Sequence, residues 1–293
     1  MTSLQIEPLA GSFGAFASGW ISEKPLTAQD RDVITEALRD HQVLIFRGQK
    51  QPTDEELISF AGTFGDLLQG SAFLERARDH PEILSVGNLV GDDGKPQGTG
   101  GSSEMDWHSD YSYVDRVGKE TFLNAVKLPK YPPHTYFSNQ YRALETLPTA
   151  MRDRLRGMRA WHSVSHYYED GGSKDVERYR ADREREKNEG IETVPIPEAE
   201  HDLIVRHPET GREILYISPA IVQSIIGLGP EESAALLAEL RTHSTQPGNV
   251  LAHDWEVGDV VMFDTLGTLH KRDSWDPAER RYMRQLSTVC RID

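Results

Sequence analysis

Three residues of this sequence could together hold a transition metal: His108, Asp110 and His270. Side chains alternate between the two faces of a β-strand, so an extended segment through His108 and Asp110 points both side chains the same way. Two imidazoles and one carboxylate occupy one face of an octahedron and leave the opposite three positions open, which is typical of non-haem Fe(II) oxygenases. The pattern therefore predicts an iron site that a cosubstrate and dioxygen can reach.

Other pairs in the sequence could imitate such a site, because 11 histidines and many acids make a chance H-x-D or H-x-E pair expected. His80-Pro81-Glu82 and His207-Pro208-Glu209 are two such pairs. Each has a proline in the middle, and the second continues into Thr210-Gly211, a composition typical of turns rather than of ligand-bearing strands. We therefore expect turns at both places, and the H-x-D pair needs support from the rest of the chain.

That support comes from the segments around the third candidate ligand. The stretch from Trp255 to His270 contains an apolar strand with turn residues on both sides, and it delivers His270 just beyond the strand. Arg281 follows at the head of a second strand-like run, which continues to Val289. The distal histidine therefore has the strand context that a metal ligand needs.

With these segments the chain resembles the taurine dioxygenase/TfdA family of Fe(II)- and 2-oxoglutarate-dependent dioxygenases. The resemblance extends over most of the chain, from about Ile45 to Ser287. It rests on Trp-His-Ser-Asp at 107–110, His-Pro-Glu-Thr-Gly-Arg at 207–212, Trp-Glu-Val-Gly-Asp-Val-Val at 255–261, and His270 followed by Arg280-Arg281.

The resemblance implies roles for five residues. His108, Asp110 and His270 would bind Fe(II). Arg281 would bind the distal carboxylate of 2-oxoglutarate with help from Thr135, which without the resemblance is simply a β-forming residue on a half-buried strand. The implied reaction uses O2 to decarboxylate 2-oxoglutarate to succinate and CO2, and couples this to C–H oxidation of a small-molecule substrate by hydroxylation, desaturation or cyclisation. Asp110 disfavours halogenation, since related halogenases have a small residue in place of that carboxylate.

Two departures from the family pattern concern the substrate. The taurine enzyme clamps a sulfonate with an arginine four positions after its cosubstrate arginine, where this sequence has Gln285. A neutral amide cannot form the charge-assisted fork that arginine makes with an anion, and Arg284 could replace it only if the strand bulges. The usual Asp-Asn-Arg before the distal histidine is Asp264-Thr265-Leu266 here. We therefore expect a substrate that is less acidic than taurine and is not taurine itself.

Candidate substrate contacts are Tyr111 and Tyr113, directly after the metal ligands, together with Gln285. The tyrosines could equally pack across strands in the core, because this residue type serves both uses. Three histidines of the middle region could approach the substrate, but a hydrogen-bonded structural role is the more common one: His134, His162 and His166.

Two other interpretations remain open at this stage. A metal-dependent jelly roll of another enzyme class, such as a cosubstrate-independent oxygenase, would leave Arg281 and Thr135 without a role. A non-catalytic binding protein of the same fold would tolerate loss of ligands, whereas this sequence keeps His108, Asp110 and His270.

Composition favours an intracellular enzyme. The 293 residues can form one large domain, 1–293, and no linker or repeat indicates a second. The single cysteine, Cys290, excludes an internal disulfide, and no secretory signal or membrane-spanning apolar stretch is present. A net charge of −15 makes nucleic acid an unexpected partner. We expect a cytoplasmic protein, and the resemblance allows a homo-oligomer.

Helical and strand patterns predict a mainly β protein with flanking helices, of the α+β class, with a double-stranded β-helix (jelly roll) core. Thr27 caps a helix that runs towards Asp40, His41–Phe46 is a buried strand, and Thr53 caps a second helix that ends at Gly65. A third helix covers Pro230 to His243. The charged stretch 174–192, within the region 165–200, is either a solvated surface segment or an active-site lid.

Overall fold

The computed structural model describes residues 4–11, 13–69, 79–91, 94, 97–165 and 197–292. The stretch 174–192 and His166 lie outside the described residues, so the lid and the role of that histidine stay predictions. Within the described residues the strands are β1 Gln5–Pro8, β2 Ala15–Ser18, β3 Val43–Phe46, β4 Leu84–Gly87, β5 Thr99–Gly100, β6 Met105–His108, β7 Val117–Lys127, β8 Thr135–Asn139, β9 Arg159–Ser163, β10 Glu198–Asp202, β11 Ile204–Arg206, β12 Glu213–Leu215, β13 Val222–Ile225, β14 Val250–His253, β15 Val260–Asp264, β16 Thr268–Arg272 and β17 Tyr282–Cys290. The helices are α1 Ala28–His41, α2 Asp54–Gly62, α3 Gln140–Thr146, α4 Thr149–Leu155, α5 Pro230–Ser244 and a 3-10 turn at Pro247–Asn249.

The first two helices begin where the capping residues predict. Thr27 accepts a hydrogen bond from the backbone N–H of Asp30, whose carboxylate accepts from the Thr27 N–H, and Thr53 and Glu56 repeat this arrangement. Helix α1 ends at Gln42, which adopts φ 61° in the left-handed region. Helix α2 stops at Gly62 rather than at the predicted Gly65, and α5 agrees with the predicted third helix within one residue.

Two antiparallel-rich sheets form the centre of the fold. The larger has eight strands in the order β1-β2-β3-β15-β7-β17-β4-β5, and the smaller has four in the order β14-β8-β16-β6. One hydrophobic cluster joins them, because Phe137 and Leu251 of the smaller sheet pack with Val261 and Phe263 of the larger one. This face-to-face packing of two sheets is the layer arrangement expected for a jelly roll.

The opposite face of the larger sheet is covered by helices. Val260 and Met262, which alternate with the residues that face the smaller sheet, pack with Ile34 of α1 and Phe60 of α2. The central strands are therefore buried on both faces, which explains their continuous apolar sequences. The prediction of a mainly β protein with flanking helices is confirmed.

The remaining elements form a second layer beside the two sheets. Strands β10-β9-β13 make a three-stranded sheet and β11-β12 a two-stranded one. Helices α3, α4 and α5 pack their apolar residues, such as Leu144, Leu155 and Leu240, into one cluster with Leu215. In the described part of the chain, no helix combines the length and the apolar character needed to cross a membrane.

Candidate active site

Strand pairing brings the two candidate histidine ligands together. Strands β6 and β16 are antiparallel neighbours, and their register places His270 directly opposite His108. The ring centroids are 4.0 Å apart with an interplanar angle of 45°. Both side chains are buried, and on its other side His270 faces Phe137 of β8.

The third candidate ligand, Asp110, lies in a turn and not on a strand. Strand β6 ends at His108, so the predicted strand alternation does not aim Asp110, and that part of the prediction is wrong. The chain reverses instead at Tyr111, which adopts φ 60°. The Ser109 N–H donates to Ser218 Oγ at 2.9 Å and holds the start of the turn.

Close packing against β7 fixes the rest of this turn. A Cβ at Gly118 would lie 3.1 Å from the Asp110 carbonyl oxygen and 3.0 Å from Thr265 Cγ2, so the turn rests on a position without a side chain. Ser109 Oγ donates to the Thr265 carbonyl at 2.8 Å. The Ser109 side chain therefore holds the turn against the segment that carries Thr265.

The resulting geometry fits a bound metal ion. The Nε2 atoms of His108 and His270 lie 3.6 and 3.8 Å from the two carboxylate oxygens of Asp110, and one ligand atom from each residue lies within 4.8 Å of the others. Ligand atoms about 2.1 Å from one ion are about 3.0 Å apart in neighbouring positions, so small inward movements complete the coordination. The described residues thus contain a two-histidine, one-carboxylate cluster.

The histidine rings present the correct nitrogen to such an ion. His108 Nδ1 lies 2.7 Å from the Asp106 carbonyl oxygen, which accepts its proton and leaves the Nε2 lone pair towards Asp110. Burial, together with the neighbouring His108, holds the pKa of His270 well below its ordinary value. A neutral imidazole is the form that binds a metal.

Arg281 lies immediately before β17 and is only 2% exposed. Its backbone N–H donates to Asn88 Oδ1 at 2.9 Å. Its Nε and Nη1 have no hydrogen-bond partner among the described residues. Burial, and to a smaller extent the nearby Arg272, lowers the pKa of the Arg281 guanidinium to about 9. Because a buried cation with unused donors is costly, its surroundings fit an anion such as a carboxylate.

Arg272 is a buried cation that the sequence reasoning missed. It lies two residues after His270 on β16, and strand alternation could have pointed to it. Its guanidinium donates to the carbonyl oxygens of Gly100 and Gly101 at 3.0 and 3.1 Å and also to that of Ser103. The side chain therefore fastens the segment that leads into β6.

Thr135 is the first residue of β8 and pairs directly with Arg272 of β16. Its Oγ1 accepts a hydrogen bond of 2.9 Å from Trp255 Nε1, which leaves its own hydroxyl hydrogen to donate elsewhere. Trp275 links this region to Arg281, because the guanidinium carbons of Arg272 and Arg281 lie 4.4 and 5.4 Å from its ring centroid.

The substrate candidates lie on two sides of the metal ligands. Tyr111 is buried, Tyr113 is partly exposed, and their ring centroids are 6.2 Å apart. Gln285 is buried, and its Nε2 donates to Asp110 Oδ2 at 2.8 Å. The structure thus brings Gln285 into direct contact with a candidate metal ligand.

Arg284 points to the opposite face of β17, as strand alternation predicts. The bulge lies between Tyr282 and Met283, before this residue, and does not redirect it. Arg284 Nη2 donates to the Pro52 carbonyl at 2.6 Å, and Nη1 contacts the Asp54 carboxylate. Arg284 therefore does not replace the absent anion clamp.

The altered Asp264-Thr265-Leu266 segment contributes to packing. Thr265 Oγ1 donates to Thr121 Oγ1 at 2.8 Å, and Leu266 joins a hydrophobic cluster with Tyr216.

The competing motif that begins at His207 forms a turn. His207 Nδ1 accepts from the backbone N–H groups of Glu209 and Thr210 at 3.2 and 3.3 Å, which confirms the predicted turn.

Two of the other candidate histidines, His134 and His162, lie outside the cluster. His134 is exposed and lies 2.7 Å from an Asp254 carboxylate oxygen. His162 is fully buried, and its ring centroid lies 5.5 Å from that of His201. Neither residue is part of the cluster formed by the three candidate ligands.

Comparisons with known sequences agree with this site. The family model described as taurine catabolism dioxygenase TauD, TfdA family, matches residues 5–287. Pentalenolactone F synthase of Streptomyces avermitilis is 35% identical, and the match covers 98% of this chain and 94% of the relative. The alpha-ketoglutarate-dependent 2,4-dichlorophenoxyacetate dioxygenase of Burkholderia sp. (strain RASC) is 32% identical, and the match covers 90% of this chain and 88% of the relative.

Solved structures give the same result. A taurine dioxygenase from Burkholderia xenovorans superposes with a TM-score of 0.78 at 27% identity and covers 98% of this chain and 89% of the other. AAD-2 in complex with Mn(II) and N-oxalylglycine superposes with a TM-score of 0.77 at 25% identity, covering 98% and 97%. The predicted jelly-roll core is confirmed. The chain therefore belongs to the TauD/TfdA family and is an Fe(II)- and 2-oxoglutarate-dependent dioxygenase.

Proposed function

We propose that this protein oxidises a C–H bond of a small, largely apolar molecule at a site built from His108, Asp110, His270, Arg281 and Thr135. The observation that carries the proposal is the buried side chain of Arg281, whose Nε and Nη1 have no hydrogen-bond partner among the described residues, in a fold that also assembles a two-histidine, one-carboxylate cluster. A metal site alone would not need this cation. A cosubstrate that has a carboxylate for the metal and a second carboxylate for an arginine needs both.

In this proposal His108, Asp110 and His270 hold Fe(II). The bound Fe(II), with 2-oxoglutarate and O2, supplies the oxidising chemistry and yields succinate and CO2. The protein's own contribution is geometry. The Asp106 carbonyl orients the His108 ring, and packing on Gly118 holds the backbone of the turn that carries Asp110.

Arg281 binds the distal carboxylate of 2-oxoglutarate, and the Thr135 hydroxyl donates to the same group. A carboxylate would accept hydrogen bonds from this guanidinium, whose Nε and Nη1 have no partner among the described residues, and would balance its charge. Burial excludes water, so this contact is stronger than an exposed ion pair would be. The neighbouring Arg272 adds positive charge without offering its own fork, since it is bonded to backbone carbonyls.

Tyr111, Tyr113 and Gln285 border the substrate. Gln285 carries no charge, and Arg284 is bonded to Asp54, Asn124 and Pro52 on the other face of the strand. A sulfonate or sulfate ester therefore lacks a cationic partner at this position. Among the relatives, a pentalenolactone F synthase fits this neutral site better than the alpha-ketoglutarate-dependent sulfate ester dioxygenase of Pseudomonas putida. Hydroxylation, desaturation and cyclisation are all compatible outcomes.

The first experiment is an anaerobic titration of the protein with Fe(II) and then with 2-oxoglutarate, followed by visible absorption. A charge-transfer band that appears only with both additions is the expected result. His108→Ala abolishes the band, whereas His134→Ala, a matched change of an exposed histidine, leaves it intact. A metal-loaded, folded wild-type protein without the band would refute the proposal.

Substrate class is tested by succinate release with a panel of a lactone, a phenoxyacetate, an alkyl sulfate and taurine. We expect stimulation above the substrate-free rate with the lactone, and none with taurine or the alkyl sulfate. Equal stimulation by taurine would contradict the assigned role of Gln285 as an uncharged border.

Three further properties are also proposed: the number of domains, the cellular location and the oligomeric state. The continuous family match over residues 5–287 supports one catalytic domain. The need for Fe(II) and 2-oxoglutarate supports a reducing cytoplasm as its place of action. A homo-oligomer follows from the family resemblance alone, and light scattering after size-exclusion chromatography tests it.

A further inference from the structure

Gln285 lies on a strand of the larger sheet, yet it is hydrogen-bonded to Asp110, a candidate metal ligand in the turn after a strand of the smaller sheet. Its Nε2 lies 2.8 Å from Asp110 Oδ2. Strand β17 holds Gln285 in register with Leu123 of β7 and Leu84 of β4, near the middle of the larger sheet. Asp110 follows β6, the edge strand of the smaller sheet. The amide therefore ties the carboxylate to a rigid element outside its own segment.

Asp110 needs such a tie because of where it lies. The terminal torsion of an aspartate is broad, so a hydrogen bond to the carboxylate contributes to its orientation. The two oxygens approach different histidines, with Oδ1 3.6 Å from His108 Nε2 and Oδ2 3.8 Å from His270 Nε2. A partial rotation about the terminal torsion would move both oxygens away from the histidines, so the orientation of the carboxylate decides whether an oxygen faces the site.

We propose that Gln285 is a positioning residue for Asp110: its amide N–H holds one carboxylate oxygen so that the other is presented to Fe(II). This inference rests on the proposed function, because it takes Asp110 as a metal ligand. Only the NH2 end of an amide can face an ionised carboxylate, so chemistry fixes the orientation of the Gln285 side chain. Hydrogen bonds from neighbouring groups to ligating carboxylates commonly orient the ligand.

The neutral charge of Gln285 is part of this role. An arginine in contact with the same carboxylate would withdraw negative charge from a metal ligand, whereas an amide orients it and leaves the charge in place. The chain therefore uses, for its own metal ligand, a position at which the taurine enzyme clamps a substrate anion. At this position a substrate can contact only the part of the Gln285 amide that is not bonded to Asp110.

The test compares Gln285→Met and Gln285→Glu with wild type. Methionine has a similar length and no N–H donor, and glutamate keeps the shape of glutamine but offers a carboxylate towards Asp110. The matched control is Gln140→Met, which removes another buried amide, one that donates only to Ser138. Fe(II) affinity is measured anaerobically, together with the position of the visible band after 2-oxoglutarate is added.

We expect both Gln285 variants to bind Fe(II) about 10- to 100-fold more weakly, which is the usual cost of losing a partner of a metal ligand, and to show a shifted band. Gln140→Met should match wild type in both readouts. If Gln285→Met does not fold, Gln285→Glu carries the same comparison. Wild-type affinity and an unshifted band in the folded variants would overturn the role of Gln285 and leave the proposed function standing. A wild-type protein that binds no Fe(II) would overturn both.

Discussion

Replacing Arg281 with methionine should stabilise the protein when 2-oxoglutarate is absent and remove the stabilisation that 2-oxoglutarate provides. The guanidinium is 2% exposed, and its Nε and Nη1 lack partners among the described residues. A buried, unsatisfied polar group costs about 1 to 3 kcal/mol, so an apolar side chain of similar length should raise the free energy of unfolding of the ligand-free protein by about that amount. This corresponds to a rise of a few degrees in Tm.

With 2-oxoglutarate present, the variant loses most of the stabilisation that the ligand gives to wild type. Removing one partner of a buried charge pair costs about 2 to 5 kcal/mol, which corresponds to roughly 30- to 5000-fold weaker binding of 2-oxoglutarate. Wild type at about 100 times its Kd gains about 2.7 kcal/mol from the ligand, and the variant should gain at most about 0.9 kcal/mol at the same concentration. A higher Tm without 2-oxoglutarate, together with a much smaller increase on adding it, distinguishes this mechanism from a general loss of packing.

The assay is thermal unfolding of metal-loaded protein with and without 2-oxoglutarate, under anaerobic conditions. Arg280→Met is the matched control, because Arg280 is the preceding residue, is exposed and donates only to backbone carbonyls. It should change neither Tm nor the ligand response. An Arg281→Met protein that melts lower than wild type without 2-oxoglutarate, yet keeps the full increase with it, would refute the reasoning.

Two other changes have expected outcomes of a different kind. Burial raises the pKa of Glu120 from 4.5 to about 7 in spite of the adjacent Lys119. The folded state therefore holds this proton more tightly than the unfolded state, so its contribution to stability is full below pH 4.5 and is lost as pH rises towards 7. Glu120→Gln should flatten that part of the pH profile in urea unfolding, and an unchanged slope would contradict the assignment. Gly87 has φ 146°, and a Cβ there would lie 2.0 Å from the Arg281 carbonyl oxygen. Gly87→Ala should lower the free energy of unfolding by more than 2 kcal/mol and weaken 2-oxoglutarate binding, since backbone of the neighbouring strand must move. Gly211→Ala, at φ 67° with no atom within 4 Å of the Cβ, should cost only about 1 kcal/mol. Equal effects of the two changes in urea unfolding would show that the contact with Arg281 is unimportant.

Helix starts and strand faces could be predicted from sequence because each signal is local, whereas the three candidate metal ligands were named from motifs in two distant segments. The capping boxes that begin at Thr27 and Thr53 indicate the helix starts within four residues. The alternation that sends Arg284 away from the site needs only the strand itself. The family motifs around His108 and His270 indicate the candidate ligands, and the same motifs indicate Arg281.

The arrangement of the site depended on contacts between residues distant in sequence. Asp110 reaches the histidines through a turn that Ser218 and Gly118 hold, and no pattern within residues 107–110 distinguishes that turn from a strand. The hydrogen bond from Gln285 to Asp110 links a strand of the larger sheet to the turn that follows a strand of the smaller sheet. It therefore forms only when both sheets are folded and packed together. Local sequence determines which elements form, since caps and alternation act over a few residues. Tertiary structure alone decided how the ligands are oriented, because that orientation comes from packing between strands that are far apart in the chain.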